Sequence, residues 1–517
     1  MLLHEFLEES ARKYPDKVAL VQKEERWTYR AIDEKANQVA HLLRDLGIQR
    51  GDRVAIFLDN SVEAVISLFG ILKTDAVFLM LSSLLKPAKL SYILNNCQVK
   101  MMISEDRKLR AASEVFPLIP SLQSVISVGM EAPIFSEVPF QVLSWSEIGT
   151  LPSGSRNKLP TRNIDLDLAT IIYTSGSTGN PKGVMLTHLN MISAATSITT
   201  YLGNVPEDII INCLPLSFDY GLYQVLMTFK FGGTIVLEKS FTYPYDIIKK
   251  MVKEKVTGFP GVPTIFAILL QMEDLKKFDL GCLRYVTNTA AALPVDHIQR
   301  LRKTFPQATL FSMYGLTECK RVSYLPPEEL DRRPGSVGRG MPNEEVWIVD
   351  ENGNRLNPGA AGELVVRGSN VMRGYWGDPE TTDRVLRPGL FPGEKVLYTG
   401  DLFRMDEEGF LYFVGRKDDM IKTRGERVSP KEIEQCLCSL DGIAEAAAIG
   451  VPDDILGQAI KIFISSKDGF SLNEQDVLRH CKRNLEDFMV PKYIHFLKTL
   501  PKNANAKIDK QALKGLG

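Results

Sequence analysis

The residues best suited to chemistry lie in one segment, residues 173–183, which reads YTSGSTGNPKG. It combines hydroxyl side chains, three glycines and Lys182, a set of donors that suits phosphate oxygens. The segment follows a strand-like run at residues 168–174 and precedes an apolar stretch from residue 184 that we expect to be helical. Pro181 before Lys182 excludes a Walker A loop. A Gly/Ser-rich surface loop is the plainer alternative, but the fixed Pro-Lys-Gly favours phosphate binding.

Further downstream, three isolated charged residues have types that fit the same chemistry. Glu318 closes the sequence YGLTE at 314–318, Asp401 closes YTGD at 398–401, and Lys507 lies near the end of the chain. A carboxylate can hold the divalent ion that neutralises phosphate charge, and a lysine can stabilise charge developing in an in-line displacement. Taken alone, Asp401 would be an exposed turn residue and Lys507 a solvated surface charge.

The elements that must position these residues alternate in a regular way. Helical periodicity at 4–14, 29–46, 62–73 and 244–255 alternates with short β-branched runs such as 53–57 and 124–128. This alternation predicts an α/β fold with ligands at the carboxyl ends of strands. Residues 335–415 change to short strands separated by hairpin-like turns, which predicts a mostly β subdomain. After residue 416, strands and helices alternate again in a small α+β domain.

Composition excludes several classes of protein. With 517 residues, the chain needs two or more domains, and its formal net charge of −1 favours neither nucleic acid nor an anionic membrane as a partner. No apolar run reaches membrane-spanning length, and the first 17 residues are too charged for a signal peptide. The seven cysteines are scattered, which favours reduced thiols over a disulfide framework or a metal site. We therefore expect a cytoplasmic protein.

In their order along nearly the whole chain, these motifs resemble the adenylate-forming superfamily of acyl-CoA synthetases, peptide-synthetase adenylation domains and luciferases. The resemblance implies an N-terminal core of residues 1–416 with two α/β sheets and a β-rich subdomain at about 335–416, followed by a mobile lid of residues 417–517. It also implies an ATP site made of Thr174, Ser175, Gly176, Ser177, Thr178, Gly179, Lys182, Thr289, Ala290, Ala291, Tyr314, Gly315, Asp401 and Arg416. For the Ala run beginning at Ala290, ordinary close packing is an equally good interpretation.

The resemblance assigns roles to five residues. Thr317 would contact the α-phosphate, Glu318 would hold Mg²⁺, and Asp401 would accept hydrogen bonds from the ribose. Asp418 would be the pivot about which the lid rotates between two half-reactions. Lys507 would bridge the attacking carboxylate and the α-phosphate. The usual family form before that lysine is Asn-Gly, whereas this chain has Asn505 and Ala506, which puts the loop geometry in doubt but not the identity of the lysine.

The implied reaction has two steps. A carboxylate attacks the α-phosphorus of ATP to give an acyl-AMP and pyrophosphate, and a thiol then takes the acyl group. No protein nucleophile is needed, because the enzyme acts by positioning and by neutralising charge. Rotation of the lid would bring residues 422–428 towards the passage for the thiol.

The candidate acid pocket centres on Asp219 in the segment FDYGLY. A carboxylate buried in an acyl pocket is costly without a cation, so an amine-bearing substrate is its expected partner. A helix cap or backbone partner is the alternative. The segment 318–327 and FDYGLYQ resemble freestanding ligases that load L-proline onto a carrier protein. The resemblance implies that the pocket is lined by Phe218, Tyr223, Phe259, Met313 and Val322.

Three functions stay open at this point. The first is an amino-acid ligase, with L-proline as substrate and a separate carrier protein as partner, because no carrier module follows Lys507. The second is an acyl- or aryl-CoA ligase that uses free CoA, which the form of residues 424–434 favours. The third is a non-catalytic relative that binds a nucleotide or a partner, against which Lys182, Glu318, Asp401, Arg416 and Lys507 argue jointly.

Overall fold

The structure is a computed structural model that describes residues 1–129, 140–174, 180–289, 293–423, 426–453, 456–467, 469–470, 472–503 and 507–516. By internal contacts the chain divides into two compact units. The first unit comprises Met1–Pro334, Gly340–Glu345 and Arg367–Leu397. The second comprises Gly335–Arg339, Val346–Val366 and Tyr398–Gly517. Each unit is therefore described by itself.

Within the described ranges the α-helices are α1 (Glu5–Lys13), α2 (Tyr29–Asp45), α3 (Val62–Leu72), α4 (Pro87–Asn96), α5 (Asp106–Ala111), α6 (His188–Leu202), α7 (Asp219–Phe231), α8 (Pro244–Glu254), α9 (Pro263–Leu270), α10 (Val295–Thr304), α11 (Pro379–Val385), α12 (Pro430–Cys438), α13 (Glu474–Asn484) and α14 (Lys510–Lys514). No helix in the part of the chain that the structure describes is long and apolar enough to span a membrane.

The strands in the same ranges are β1 (Val18–Gln22), β2 (Glu25–Thr28), β3 (Arg53–Phe57), β4 (Val77–Met80), β5 (Met101–Glu105), β6 (Ser124–Val128), β7 (Gln141–Ser144), β8 (Leu168–Thr174), β9 (Lys182–Thr187), β10 (Ile209–Asn212), β11 (Thr234–Leu237), β12 (Gly258–Gly261), β13 (Tyr285–Asn288), β14 (Thr309–Tyr314), β15 (Ser323–Leu325), β16 (Arg339–Gly340), β17 (Glu344–Val349), β18 (Ala361–Gly368), β19 (Gly374–Tyr375), β20 (Leu386–Pro388), β21 (Lys395–Met405), β22 (Leu411–Arg416), β23 (Ile421–Thr423), β24 (Glu426–Val428), β25 (Ile443–Asp453), β26 (Gly457–Ser466) and β27 (Tyr493–Phe496).

The first unit contains two predominantly parallel sheets. One has the strand order β15-β14-β13-β12-β10-β11-β1-β2, with β15 and β2 antiparallel to their neighbours. The other has the order β19-β9-β8-β4-β3-β5-β6-β7. Helices follow most of the parallel strands, as the alternation in the sequence predicted, so the α/β fold is confirmed. The carboxyl ends of β12, β13 and β14 therefore meet at one edge of the first sheet.

The segment after the phosphate loop differs from the sequence prediction of a helix. Residues 182–187 form β9, which is antiparallel to β8 and places Lys182 opposite Thr174. Helix α6 begins only at His188, because Thr187 and Asn190 form a capping box with hydrogen bonds of 2.9 and 3.2 Å between side chain and backbone. Val184 and Leu186 are buried by pairing with β8, so the apolar residues before the cap serve a strand.

The second unit contains a β-rich part and a smaller α+β part. Strand β18 lies between β17 and β21, and β22 pairs with β21 in a hairpin joined at the turn predicted from Asp-Glu-Glu-Gly. The α+β part has the sheet order β24-β23-β26-β25, with β27 parallel to β26. Helices α12 and α13 cover this sheet, and Ile433, Leu437 and Val477 bury their apolar faces against Ile460 and Ile462.

Candidate active site

The hairpin of β8 and β9 frames the phosphate loop. Thr174 ends β8 and Lys182 begins β9, and the two residues are paired across the hairpin. Ser175, Gly176, Ser177, Thr178 and Gly179 lie outside the described residues, as do Ala290 and Ala291 of the predicted adenine loop. The structure thus describes Thr174 and Lys182, which flank the predicted phosphate-binding segment.

Close packing fixes the base of this hairpin. A Cβ at Gly183 would lie 2.8 Å from Cγ2 of Ile171 and 3.3 Å from Cβ of Trp376, so only glycine fits there. The Tyr173 hydroxyl donates to Asn96 and lies 3.0 Å from Sγ of Cys97. The Trp376 amide donates to the Gly183 carbonyl at 2.7 Å. The phosphate loop is therefore carried on a rigid support.

The turn after β14 holds the predicted metal ligand. A Cβ at Gly315 would lie 2.3 Å from the carbonyl oxygen of Lys320, which explains why glycine follows Tyr314. Thr317 and Glu318 are partly exposed in this turn. The Tyr375 hydroxyl donates to Oε1 of Glu318 at 2.7 Å, and the Tyr375 ring lies 5.6 Å from Nζ of Lys182. One tyrosine therefore contacts both the acidic and the basic candidate for phosphate chemistry.

The donors present fit a magnesium ion that arrives with its nucleotide. Among the described residues no group of three or more His, Cys, Asp or Glu side chains could hold a metal by itself. Mg²⁺ is usually held through one or two carboxylates together with substrate phosphates. Glu318, partly exposed and fixed by Tyr375, is a carboxylate of that kind.

Asp219 lies in the first turn of α7 and already has a cation beside it. Nζ of Lys320 lies 3.2 Å from its Oδ2, and the two side chains are 2% and 10% exposed. Burial lowers the pKa of Lys320 to about 8, although the neighbouring Asp219 opposes that shift. The sequence argument took a substrate amine as the cation that Asp219 requires, whereas the chain itself supplies one.

A second buried cation, Arg321, follows directly. Its guanidinium donates to Oγ1 of Thr289, the residue after β13, and lies 5.4 Å from the ring of Tyr220. The Tyr220 hydroxyl lies 2.6 Å from Oγ1 of Thr287. Thr289, predicted to contact adenine, is thus a buried acceptor of Arg321, and α7 is tied to the carboxyl end of β13.

The remaining predicted pocket residues divide between two faces of the sheet. Tyr223 is buried in α7 with its ring 4.5 Å from Nζ of Lys320, and Sδ of Met313 accepts from the Tyr201 hydroxyl at 2.9 Å. Phe259 pairs in register with Val286, whereas Thr287, beside α7, pairs with Pro260.

Successive residues of a strand point to opposite faces, so Phe259 lies on the face away from Asp219. There it packs against Phe241 and Phe266. Phe218 precedes α7 as its N-cap residue, and Val322 is fully buried behind the β14 turn. The structure therefore brings Tyr223 and Lys320 to Asp219 but does not bring Phe259 there.

In the second unit, Asp401 and Arg416 lie opposite each other on β21 and β22. Nε of Arg416 lies 2.7 Å from Oδ1 of Asp401, and the side chains are 55% and 7% exposed. Gly400 has a φ of 70°, and its amide donates to Glu363 at 3.0 Å. The pairing of β21 with β22 therefore holds the aspartate in place, and the arginine side chain is more than half exposed.

Asp418 and Lys507 also belong to the second unit. Asp418 is the middle residue of a short 3-10 turn, Lys417–Asp419, and Gly415 just before it packs against Met420 and Ser429. Lys507 is exposed; its amide donates to Oδ1 of Asn503 at 3.1 Å and its carbonyl accepts from the Asn503 amide at 2.8 Å. Asn503 thus fixes the backbone of the loop that presents the lysine.

Sequence reasoning missed three residues at these sites: Lys320, Arg321 and Tyr375. Two adjacent cations after YGLTE were visible in the sequence, and their burial is what makes them unusual. Tyr375 is separated from Glu318 by 57 positions, and only the fold reveals their contact.

The hairpin at residues 168–187, the carboxylate of Glu318 after β14 and the buried charges around Asp219 agree with the expectation of an ATP-dependent, adenylate-forming ligase. Residues 7–376 match the AMP-binding enzyme family, and residues 432–507 match the AMP-binding enzyme C-terminal domain. The chain belongs to the AMP-binding enzyme family and is an AMP-forming acid–thiol ligase.

Proteins of known sequence and structure resemble the chain over its full length. It is 32% identical to a long-chain-fatty-acid–CoA ligase of Escherichia coli O157:H7, over 99% of this chain and 94% of that protein. It is 30% identical to part of tyrocidine synthase 3 of Brevibacillus parabrevis, over 99% of this chain and 8% of that protein. A crystal structure of the anthranilate CoA ligase AuaEII with anthranoyl-AMP matches with a TM-score of 0.90 and 27% identity, covering 100% of this chain and 97% of that one.

Proposed function

We propose that the acid is an amino acid, with L-proline as the first candidate, and that the acceptor is the phosphopantetheine thiol of a separate carrier protein. The observation that carries the proposal is the second oxygen of Asp219. Lys320 donates to Oδ2, and the carboxylate, 10% exposed, has a second oxygen that can accept a further hydrogen bond. A substrate amine would supply a charge-assisted donor to that oxygen.

The chain's own residues would divide the first half-reaction among them. Lys182 and the phosphate loop bind phosphate oxygens, Thr317 contacts the α-phosphate, and Lys507 stabilises charge as the carboxylate oxygen bonds to the α-phosphorus and pyrophosphate leaves. Mg²⁺ held by Glu318 would neutralise phosphate charge. In the second half-reaction the thiol sulfur bonds to the acyl carbon, AMP leaves and the thiol proton passes to solvent.

Asp401 and Arg416 would bind the ribose, and Thr289 would lie beside the adenine. The hinge at Asp418 and the lid of residues 417–517 are part of the same proposal. They rest on the family resemblance and on the short 3-10 turn at 417–419. We place the reaction in the cytoplasm, where the free cysteines of the described residues stay reduced.

A pyrophosphate-exchange assay tests the choice of acid. L-Proline and cyclopentanecarboxylic acid form a matched pair, because they share a five-membered ring and a carboxyl group and differ in the amine. We expect exchange with L-proline that Asp219→Asn lowers at least about tenfold, the loss of one charge-assisted hydrogen bond. Exchange with amine-free acids and none with any amino acid would reject the proposal.

A second candidate, an acyl- or aryl-CoA ligase, is favoured by Lys320. Because this lysine supplies a cation for Asp219 at 3.2 Å, the pocket does not require an amine. The relative in Escherichia coli is named as a long-chain-fatty-acid–CoA ligase. Fatty and aromatic acids in the same exchange panel test the substrate. Thioester formation with free CoA, compared with intact mass of candidate carrier proteins, tests the acceptor.

A further inference from the structure

The position beside Asp219 that a substrate ammonium would take is partly filled by the chain itself. Nζ of Lys320 lies 3.2 Å from Oδ2, and both side chains are withdrawn from water. Each buried ion loses several kcal/mol of hydration, so neither remains without a partner. Asp219 therefore has a cation before any substrate arrives.

Lys320 is held in this position from two directions. Its backbone adopts φ 65°, in the turn whose carbonyl packs against Gly315. Its ammonium lies 4.5 Å from the ring centre of Tyr223 and 5.3 Å from that of Tyr220, both on α7. Aromatic faces attract cations, most strongly where water is excluded. The lysine is thus fixed by the turn after YGLTE and by the helix that carries Asp219.

The charges around the pocket oppose a further cation. Arg321, 2% exposed and always protonated, follows Lys320 in the chain, and these two buried positive charges repel each other. Burial raises the pKa of Glu344, a neighbour of Arg321, well above its ordinary value. A substrate ammonium would be the third positive charge in this region, and it would compete with Lys320 for the carboxylate of Asp219.

We infer that Lys320 is a specificity-determining residue that competes with a substrate ammonium for Asp219. The preference of the enzyme between an amino acid and its amine-free analogue is then set by Lys320 and Asp219 together. The inference rests on the proposed function, because it takes Asp219 as part of the acid pocket. A substitution of Lys320 is expected to shift the preference towards the amino acid whichever acid the wild-type enzyme prefers. This is because the prediction concerns only the relative use of the two substrates.

The test measures one ratio in several variants. The ratio is kcat/KM in pyrophosphate exchange for L-proline divided by that for cyclopentanecarboxylic acid. If the wild type uses neither, the best acid of the panel and its α-amino derivative take their place. We expect Lys320→Met to raise the ratio at least about tenfold, equivalent to about 1.4 kcal/mol. Asp219→Asn lowers it by a similar factor.

Two further variants keep the test decisive. Because Lys320→Met leaves a buried carboxylate without its cation, Lys320→Gln, which retains a neutral N–H donor for Oδ2, is measured beside it. The double variant of Asp219→Asn with Lys320→Met is expected to have the ratio of Asp219→Asn alone, because Lys320 acts through Asp219. Thermal unfolding reports the folded fraction of each variant. A smaller folded fraction lowers both kcat/KM values by the same factor, so it does not change their ratio.

Lys73→Met is the matched control. Lys73 is 2% exposed and ion-paired with Glu8 and Asp33 in the same unit, so its loss changes stability but leaves the ratio unchanged. An unchanged or lowered ratio in both Lys320 variants, or an equal rise in Lys73→Met, overturns the role of Lys320. Absence of exchange with every amino acid in the wild type overturns the proposed function instead. In that case, exchange with the α-amino derivative that appears in Lys320→Met supports the role of Lys320, and its absence in both Lys320 variants overturns that role.

Discussion

The two units hold their predicted site residues in different ways. In the first unit, side chains fix one another: Tyr375 bonds to Glu318 at 2.7 Å, and Lys320 pairs with Asp219 at 3.2 Å. In the second unit, Asn503 fixes the backbone around Lys507, whose side chain is exposed. The first arrangement suits groups that must bind phosphate and acid in one fixed geometry. The second keeps the lysine at the surface, where fixing a long side chain on a ligand costs conformational entropy.

The pair of Asp401 and Arg416 is intermediate between these two arrangements. Asp401 is 7% exposed within β21, whereas Arg416, whose Nε lies 2.7 Å from Oδ1 of Asp401, is 55% exposed. Because the cation is partly solvated, it can exchange contacts with water for contacts with a ligand at a small cost in free energy, while the carboxylate stays fixed. The second unit therefore contains one fixed group, Asp401, and two exposed groups, Arg416 and Lys507. The predictions below separate the roles of Asp401 and Lys507.

Replacement of Lys507 by alanine has the largest expected effect. If its ammonium stabilises charge in the displacement at phosphorus, Lys507→Ala lowers acid-dependent pyrophosphate release by a factor of roughly 100 to 1,000. Thioester formation from supplied acyl-AMP survives, because that step breaks the acyl C–O bond and no bond to phosphorus. Lys502→Ala, in the same loop and paired with Glu445, is the control. Equal loss of both half-reactions in Lys507→Ala would contradict the assigned role.

Removal of the Tyr375 hydroxyl tests the fixed geometry of the first unit. Tyr375→Phe keeps the ring under Lys182 and removes the hydrogen bond to Glu318. We expect kcat to fall about tenfold, in line with the loss of one hydrogen bond to a charged group. The magnesium concentration for half-maximal rate should rise as well. Steady-state pyrophosphate release across a magnesium series measures both. An unchanged magnesium requirement would show that Tyr375 does not position Glu318.

Asp401→Asn is expected to act on nucleotide binding alone. A neutral amide accepts weaker hydrogen bonds than a carboxylate, so KM for ATP should rise about fivefold to tenfold with kcat nearly unchanged. Initial rates at varied ATP measure the two constants. A fall in kcat with an unchanged KM would mean that Asp401 acts on the chemical step, and the contrast with Lys507 would then disappear.

The sequence predicted the fold class because strand and helix periodicities are local. It predicted strand β8, and it selected residues 173–183 and YGLTE as candidate sites because their glycines, hydroxyls and charged residues stand at fixed spacing. It placed a helix directly after the phosphate loop, since Val184 and Leu186 fit either a helix or a strand, and only pairing with β8 decides between them. The counter-ion of Asp219 lies 101 residues away, and no periodicity connects Lys320 to it. Phe259 was assigned to the pocket because the sequence of its own strand does not reveal how that strand is aligned with β13. That alignment decides to which face of the sheet the Phe259 side chain points.

The smallest expected effect concerns the stability of the first unit at acid pH. It separates the first unit, which contains a buried histidine, from the second. His188, fully buried in the first unit, accepts a hydrogen bond from the Leu3 amide at 3.0 Å. Burial lowers its pKa from 6.5 to about 4, against the opposing charge of Asp167. Below pH 6.5 His188 binds a proton in the unfolded chain but stays neutral in the folded chain. The free energy of unfolding therefore falls as pH falls towards 4.

Between pH 8 and pH 5 this histidine should cost about 2 kcal/mol of stability. Trp27, Trp145 and Trp376 lie in the first unit, so tryptophan fluorescence follows mainly its unfolding. His188→Gln should make the pH dependence shallower, because glutamine can still accept at that position and does not titrate. Part of the slope should remain, because burial also lowers the pKa of His4, in the same unit, to about 3. The exposed His495 of the second unit is the control, and His495→Gln should retain the wild-type slope. If His188→Gln also keeps the wild-type slope, His188 does not contribute to the acid sensitivity of the first unit.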